Sequence, residues 1–221
     1  MKGLFITFEG TEGSGKTTQI SLLAERLRSM GCGARTLREP GGTPIGEEIR
    51  HTLKHSPANH AMTAEAELLL MNASRAQLVR EVIRPALAAG ETVLCDRFYD
   101  STTAYQGYGR QLDLRMVQKI IDVAVGDTRP DLTLLFIVPH EVSEARRRAR
   151  QPTLPMKIMR DRMEEADQSF FARVAEGYQA IAAAEPQRVR QFDATGEVAT
   201  TQAAIWKLVQ PLLTRVAELT H

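Results

Sequence analysis

The chain is poor in several things, and each shortage excludes a class of protein. Two cysteines, Cys32 and Cys95, among 221 residues are too few for a disulfide framework or a cysteine-built zinc site. A reducing, cytoplasmic setting with plain structural thiols is expected. No stretch approaches the roughly 18 apolar residues of a membrane helix. The N-terminal MKGLFITFEG runs from a short apolar segment straight into a loop motif, without a small-residue cleavage site, so no signal peptide is expected. Charge of one sign is lacking too: 28 Lys+Arg against 27 Asp+Glu leave a net charge of +1. No global field therefore draws the molecule onto nucleic acid or an anionic membrane. Internal repeats, low-complexity tracts and interdomain linkers are all absent.

What is present is an ordinary globular composition, 43% hydrophobic and 25% charged, which excludes a mostly disordered chain. A length of 221 residues fits one α/β domain with a substantial core, so a single domain over 1–221 is expected. LFITFEG (4–10), ARTLR (34–38), ETVLCDR (91–97), DLTLLFIV (131–138) and RVRQFDA (188–194) read as strands, several of them the near-continuous apolar runs of a parallel sheet. Helical spacing covers 17–30, 43–55 and 197–219. One long helix is expected over 63–89, bent or interrupted near Pro85, and another helical stretch from about Ser101 to Val125. The segment 144–168 begins and ends helical but carries two prolines in its middle, as in a helix interrupted by a mobile loop. Strands and helices alternate, which implies a doubly wound parallel sheet with ligands at the carboxyl ends of its strands.

The turn after the first strand carries the clearest motif. Gly10-Thr11-Glu12-Gly13-Ser14-Gly15-Lys16-Thr17 fits G-x-x-x-x-G-K-[ST], with Thr18 following. The glycines let backbone N–H groups turn inward around an anion, and the helix beginning near Lys16 points its positive end at the same place. Lys16 would reach the β and γ oxygens of a nucleoside triphosphate, and the Thr17 hydroxyl would ligate Mg²⁺. Such a loop does not name a reaction, because switches, motors and small-molecule kinases all use it. The N-K-x-D guanine motif of GTPases is missing.

A second constellation follows the third strand. Asp96-Arg97 sits where a ligand site belongs in this architecture. The carboxylate would hold Mg²⁺ or its waters and the arginine would bridge phosphates, or the two form a salt-bridged pair that caps the strand. DRFYDSTTAYQGYGR adds Ser101, Thr102, Tyr105 and Gln106, all able to hydrogen-bond a polar heterocycle or sugar. REPGG puts Arg38 and Glu39 on the same rim, and Arg75 lies in an otherwise apolar helix, where it binds a ligand or snorkels to the surface. The RRRAR run at 146–150 reads as a solvated helix face.

FEGTEGSGKTT, REPGGT, EEIR, ASRAQLV, DRFYDSTTAYQGYGR and RPDLTLLF occur in an order and spacing that closely resemble bacterial-type thymidylate kinases over essentially the whole chain. The resemblance implies a three-layer P-loop NTPase fold, a five-stranded parallel sheet flanked by helices, with a mobile lid at about 146–162. It implies transfer of the γ-phosphoryl group of ATP to dTMP, usually by a homodimer. Carried over residue by residue, Gly10 to Thr17 hold the ATP phosphates with Mg²⁺, and Glu12 contacts the deoxyribose 3′-hydroxyl. Arg97 and Arg38 face the acceptor phosphate, with Glu39 and Asp96 on the magnesium side. Arg75, Thr102 and Gln106 read the thymine edge, Tyr105 packs against the sugar, and Arg50 closes the base side. The resemblance also implies a cis Glu39–Pro40 bond. Met71 stands where the family usually has a phenylalanine stacked on thymine, and QPTLPMKIMR makes the lid several residues longer than usual. Arg150 is the expected lid arginine, since the phosphate loop has Gly13 where some relatives carry arginine. A related nucleoside monophosphate kinase with altered base preference, suggested by Met71, is one alternative; a P-loop switch without small-molecule phosphoryl transfer is another, and it would have no use for the second constellation.

Overall fold

The structure is a computed structural model and describes residues 3–150 and 167–218. Five parallel strands form one sheet in the order β2-β3-β1-β4-β5: β1 (Phe5–Gly10), β2 (Ala34–Arg38), β3 (Thr92–Asp96), β4 (Leu132–Ile137) and β5 (Val189–Asp193). β1 is buried along its whole length and pairs with β3 on one side and β4 on the other. That central position explains the unbroken apolar reading of its sequence.

Alternate strand residues face opposite layers, because side chains in a strand repeat every second position. Ile6, Phe8, Leu94, Leu134 and Phe136 pack with α1 (Lys16–Ser29) and α9 (Val198–Glu218) through Leu23, Leu27, Ile205 and Trp206. Phe5, Val93 and Cys95 pack on the other face with α3 (Ala64–Leu78) and α6 (Leu114–Val125). Trp206 is thus a core residue, and Arg26 stacks over its ring at 3.7 Å.

β1 and β3 are neighbours whose chain connections leave in opposite directions, so their carboxyl ends form the topological switch point. Phe8 lies opposite Asp96 in the register, which brings the loop after β1 beside the Asp96-Arg97 pair. α2 (Pro44–Lys54) begins just after β2, capped by Thr43 Oγ1, which accepts from the Gly46 N–H at 3.0 Å. It borders the same rim.

One expectation holds and two are corrected. The helix over 63–89 is interrupted near Pro85: it widens into a π-helical turn at Val79–Ile83 before α4 (Arg84–Ala88), in whose first turn Pro85 sits. Proline offers no N–H to the preceding turn and its ring crowds that turn's carbonyl, so the distortion falls upstream of the ring. The stretch from Ser101 to Val125 is two helices: α5 (Tyr99–Thr102) runs into π-helical turns at Thr103–Gly109, and α6 starts afresh where Asp113 accepts from the Met116 N–H at 2.8 Å. The second correction is a helix that the periodicity leaves unassigned, α8 (Gln168–Ala184). It packs on the π-helical segment so closely that a Cβ on Gly109 would lie 2.6 Å from the Phe170 ring. Of the proline-interrupted segment, α7 (His140–Arg150) is helical as expected, and the expected loop over 151–162 lies outside the described residues.

Candidate active site

The loop from Gly10 to Gly15 folds around the ammonium group of Lys16, which donates to Gly10 O at 3.0 Å and Thr11 O at 2.9 Å. Burial, and then the charge of Arg97, lower the Lys16 pKa to about 8 against the pull of Asp96, Glu9 and Glu12. Gly13 has φ +76°, and a Cβ there would sit 2.7 Å from the Ser143 carbonyl oxygen. The hydroxyl of Ser143 donates to the Glu12 carbonyl, so the start of α7 closes directly on the phosphate loop. No side chain but hydrogen fits that contact. Thr17 and Thr18 are exposed at the head of α1.

Two cavities flank this loop and share Gly13 and Gly15. One, of about 300 Å³, is bounded by Thr18, Gln19, Phe136, Arg146, Ala194 and Val198. Arg146 is tied there by a 2.9 Å donation to Ala194 O. The other, of about 150 Å³, gathers Glu12, Lys16 and Thr17 with Arg38, Glu39, Arg50, Lys54, Asp96 and Arg97. Five cations against three carboxylates leave this second cavity with an excess of two positive charges, which suits anionic ligands. The two motifs read from the sequence therefore meet in one cavity.

Arg97 holds a left-handed backbone at φ 68°, its N–H donating to Phe8 O at 2.9 Å. Its guanidinium donates to Ser101 Oγ at 3.0 Å, Tyr178 Oη at 3.4 Å and Tyr105 Oη at 3.2 Å, and lies 5.0 Å over the Tyr105 ring. Non-glycine residues persist in such a conformation only where surroundings over-determine it. Arg97 does not form a simple strand-capping salt bridge with Asp96: its guanidinium donates to hydroxyls.

Arg75 does not snorkel. It is 2% exposed and donates to Glu39 Oε2, Asn72 Oδ1, Thr102 Oγ1 and the Phe98 carbonyl, with a 2.7 Å ion pair to Glu39. Glu39–Pro40 is cis, as the resemblance implies. Arg38 and Arg50 both donate to Pro40 O, at 3.2 and 2.9 Å. Gln106 is buried and turns its amide N–H to Glu67 at 2.8 Å, away from the charged cavity. Met71 is half-buried on α3, one turn before Arg75. Arg150 ends α7, and its side chain lies outside the description.

Two residues of this cluster were not legible as site residues. Glu9 is fully buried and accepts from Phe98 N–H, Ser101 and Tyr178. A carboxylate inside the apolar run FITFEG was the available signal, because a buried charge needs a dedicated set of partners. Tyr178 comes from the unassigned helix α8, and nothing in its local sequence marks it.

Among the described residues no group of three or more His, Cys, Asp or Glu is placed to hold a metal. The buried oxygens Asp96 Oδ1 and Glu39 Oε1 nevertheless have no hydrogen-bond partner, and both residues border the cavity that holds Thr17. A few oxygen donors beside a phosphate site fit Mg²⁺, which keeps waters and shares substrate phosphates instead of filling an all-protein cage.

A parallel sheet of this order, a phosphate loop after β1 and a cation-rich pocket across the switch point define a P-loop phosphotransferase. Comparison with known proteins narrows this. The family profile described as thymidylate kinase matches residues 8–205. A thymidylate kinase of Synechococcus sp. is 48% identical over 95% of this chain and 96% of its own. One of Pseudomonas fluorescens is 49% identical, covering 97% of this chain and 99% of that one. The crystal structure of the thymidylate kinase from Ehrlichia chaffeensis superposes with a TM-score of 0.73 at 31% identity, covering 95% of this chain and 99% of that one. The chain belongs to the thymidylate kinase family.

Proposed function

We infer that the protein transfers the γ-phosphoryl group of ATP to the 5′-phosphate of dTMP, giving dTDP and ADP. The observation that carries this reading is the pair of cavities on either side of one phosphate loop. ATP lies with its base on the Arg146 side and its phosphates over Gly10 to Thr18; dTMP presents its phosphate from the Arg97 side. An oxygen of the dTMP phosphate attacks the γ-phosphorus while the bond to the β,γ-bridging oxygen breaks, and that oxygen leaves on ADP. The attacking group is already ionised, so no general base is needed; positioning and positive charge supply the catalysis. Lys16, Arg97 and Arg38 provide that charge. Mg²⁺, when bound, neutralises the charge between the donor phosphates, and Thr17 and Asp96 would hold it.

On the acceptor side, Glu12 meets the 3′-hydroxyl and Tyr105 packs on the sugar. Arg75, Thr102 and Gln106 meet the base edge, with Met71 over the ring and Arg50 closing the rim. Arg75 already spends its N–H groups on four protein partners, so it reads the base by sharing one of them. Arg150 completes the donor side within a lid at about 146–162 of a single domain spanning 1–221. The working form is a cytoplasmic homodimer: Leu69 on α3 and Leu114, Met116 and Val123 on α6 are exposed apolar side chains on two helices that pack together, and such a face suits a twofold mate.

The test is a panel of dTMP, dUMP, AMP, CMP and GMP with ATP and Mg²⁺. Preferred turnover of dTMP is expected. Preferred turnover of a purine or cytidine nucleotide would overturn the assignment.

A further inference from the structure

Glu9 precedes the phosphate loop on β1, is fully buried, and takes part in no step of the reaction just described. Its Oε1 accepts from the N–H groups of Phe98 at 2.7 Å and Ser101 at 3.3 Å. Its Oε2 accepts from the hydroxyls of Ser101 at 2.5 Å and Tyr178 at 2.9 Å. Above the pH of about 7 to which burial raises its pKa, Glu9 is a carboxylate and an acceptor only. Both hydroxyl hydrogens therefore point at Glu9, and the lone pairs of both oxygens are left for the Arg97 Nη1, 3.0 Å from Ser101 Oγ and 3.4 Å from Tyr178 Oη.

This orientation decides which edge of Arg97 remains available. Nη1 is spent on Ser101 and Tyr178, and one Nη2 hydrogen on Tyr105. The Nε–H and the second Nη2–H have no acceptor in that set, and they sit on adjacent nitrogens of one guanidinium edge. That is the fork which binds phosphate oxygens two at a time. Glu9 also fixes the first turn of α5 through two backbone N–H groups, directly after the left-handed Arg97.

We propose that Glu9, acting through the hydroxyls of Ser101 and Tyr178, is the positioning residue that aims the free edge of Arg97 at the acceptor phosphate. This rests on the reading above that Arg97 faces that phosphate. A glutamine at position 9 keeps the size and both backbone bonds through its carbonyl. Its NH₂ then meets the two hydroxyls as a donor and reverses them: one hydroxyl can donate to the other, 3.0 Å away, and the remaining hydrogen turns toward the cationic Arg97.

The test is a double-mutant cycle on purified enzyme with ATP, Mg²⁺ and dTMP. Glu9→Gln is expected to lower kcat by about 10- to 100-fold, and Tyr178→Phe by about 3- to 10-fold. In an Arg97→Ala background either change is expected to alter kcat by less than about twofold, because the group they act through is gone. A wild-type kcat in both variants, or the same fold loss with and without Arg97, overturns the proposal. Where the Arg97→Ala enzyme falls below detection, crystal structures of Glu9→Gln and Tyr178→Phe decide: an Arg97 guanidinium displaced from Ser101 sustains it, and an undisplaced one overturns it. If Glu9→Gln does not fold, Tyr178→Phe carries the cycle alone. Failure of the underlying reading looks different, since Arg97→Ala alone would then keep a near-normal kcat, or the unmodified enzyme would ignore dTMP.

Discussion

Replacing Arg75 by methionine isolates the electrostatics of the buried pair beneath the site. The two side chains are 2% and 3% exposed, and the guanidinium donates to Glu39 Oε2 through Nε at 2.8 Å, with Nη2 in ion-pair contact with the same oxygen at 2.7 Å. Glu39 Oε1 already has no hydrogen-bond partner. Methionine fills much of the volume but strips Oε2 of its ion pair, leaving a buried carboxylate with no compensating cation. Breaking one side of a buried pair costs about 3–5 kcal/mol. Burial already raises the Glu39 pKa, with Arg75 opposing it, so removing Arg75 must raise it further. A carboxyl whose folded pKa exceeds its unfolded value binds more protons when folded, and stability then falls as pH rises from the ordinary glutamate value of 4.5 toward the folded value. The loss in Arg75→Met is therefore expected to be smallest near pH 4.5 and largest in mildly alkaline buffer. Urea denaturation of both proteins across that range measures it. A loss below about 1 kcal/mol, the range of an exposed pair, or one independent of pH, would falsify this account.

Other outcomes are expected from the same geometry. Lys16→Ala should lower kcat by about two to three powers of ten or more, measured under saturating ATP and dTMP, because it deletes charge at the transferred group, worth about 3–4 kcal/mol or more of barrier. Gly13→Ala combines a left-handed backbone with a Cβ 2.7 Å from the Ser143 carbonyl, and is expected to raise the Kd for ATP about tenfold or more by calorimetry, since strain of this kind costs about 1–3 kcal/mol. Glu9 has its pKa pushed up to about 7, by burial first and Asp100 second. Stability should accordingly decline by about 3 kcal/mol between pH 4.5 and 7 through this group alone, and the decline should vanish in Glu9→Gln. Lys16, with a pKa lowered to about 8, should take up a fraction of a proton when ATP binds at pH 8 and almost none at pH 6; titrations in buffers of different ionisation enthalpy read this directly.

The strands were legible because three of five carry the near-continuous apolar runs of a buried parallel sheet, and the phosphate loop because its spacing is a backbone requirement written in glycines. The break before α6 was not, although Gly107, Gly109 and Asp113 stood in the sequence: weak helix formers and a capping residue compete with good periodicity, and the close approach of α8 decides the outcome. Helix α8 was passed over because Ala, Gly and aromatic residues packing on two neighbours blur a one-sided stripe. Site residues at strand ends, such as Asp96 and Arg97, could be placed from topology alone. Those whose role depends on a distant partner could not. Arg75 reads equally well as a snorkelling or a buried arginine until Glu39, 36 positions away, is seen to receive it, and Tyr178 enters only through a contact 169 positions distant.

The site is organised around a conflict between two anions. Donor and acceptor phosphates repel each other, and in water nothing holds them in line. The cavity proposed above to lie between them carries two more positive charges than negative, and it keeps the ammonium of Lys16 folded onto loop carbonyls at 2.9 and 3.0 Å. Those carbonyls are poor competitors for a cation once charged phosphate oxygens arrive, because charge-assisted contacts are roughly twice as strong as neutral ones. Arg97 is already aimed, held by three hydroxyls. The protein therefore meets the cost of crowding cations when it folds, in a depressed lysine pKa and a left-handed arginine. Each incoming phosphate relieves part of that cost, and the relief is greatest where charge accumulates between the two phosphorus centres, in the transition state.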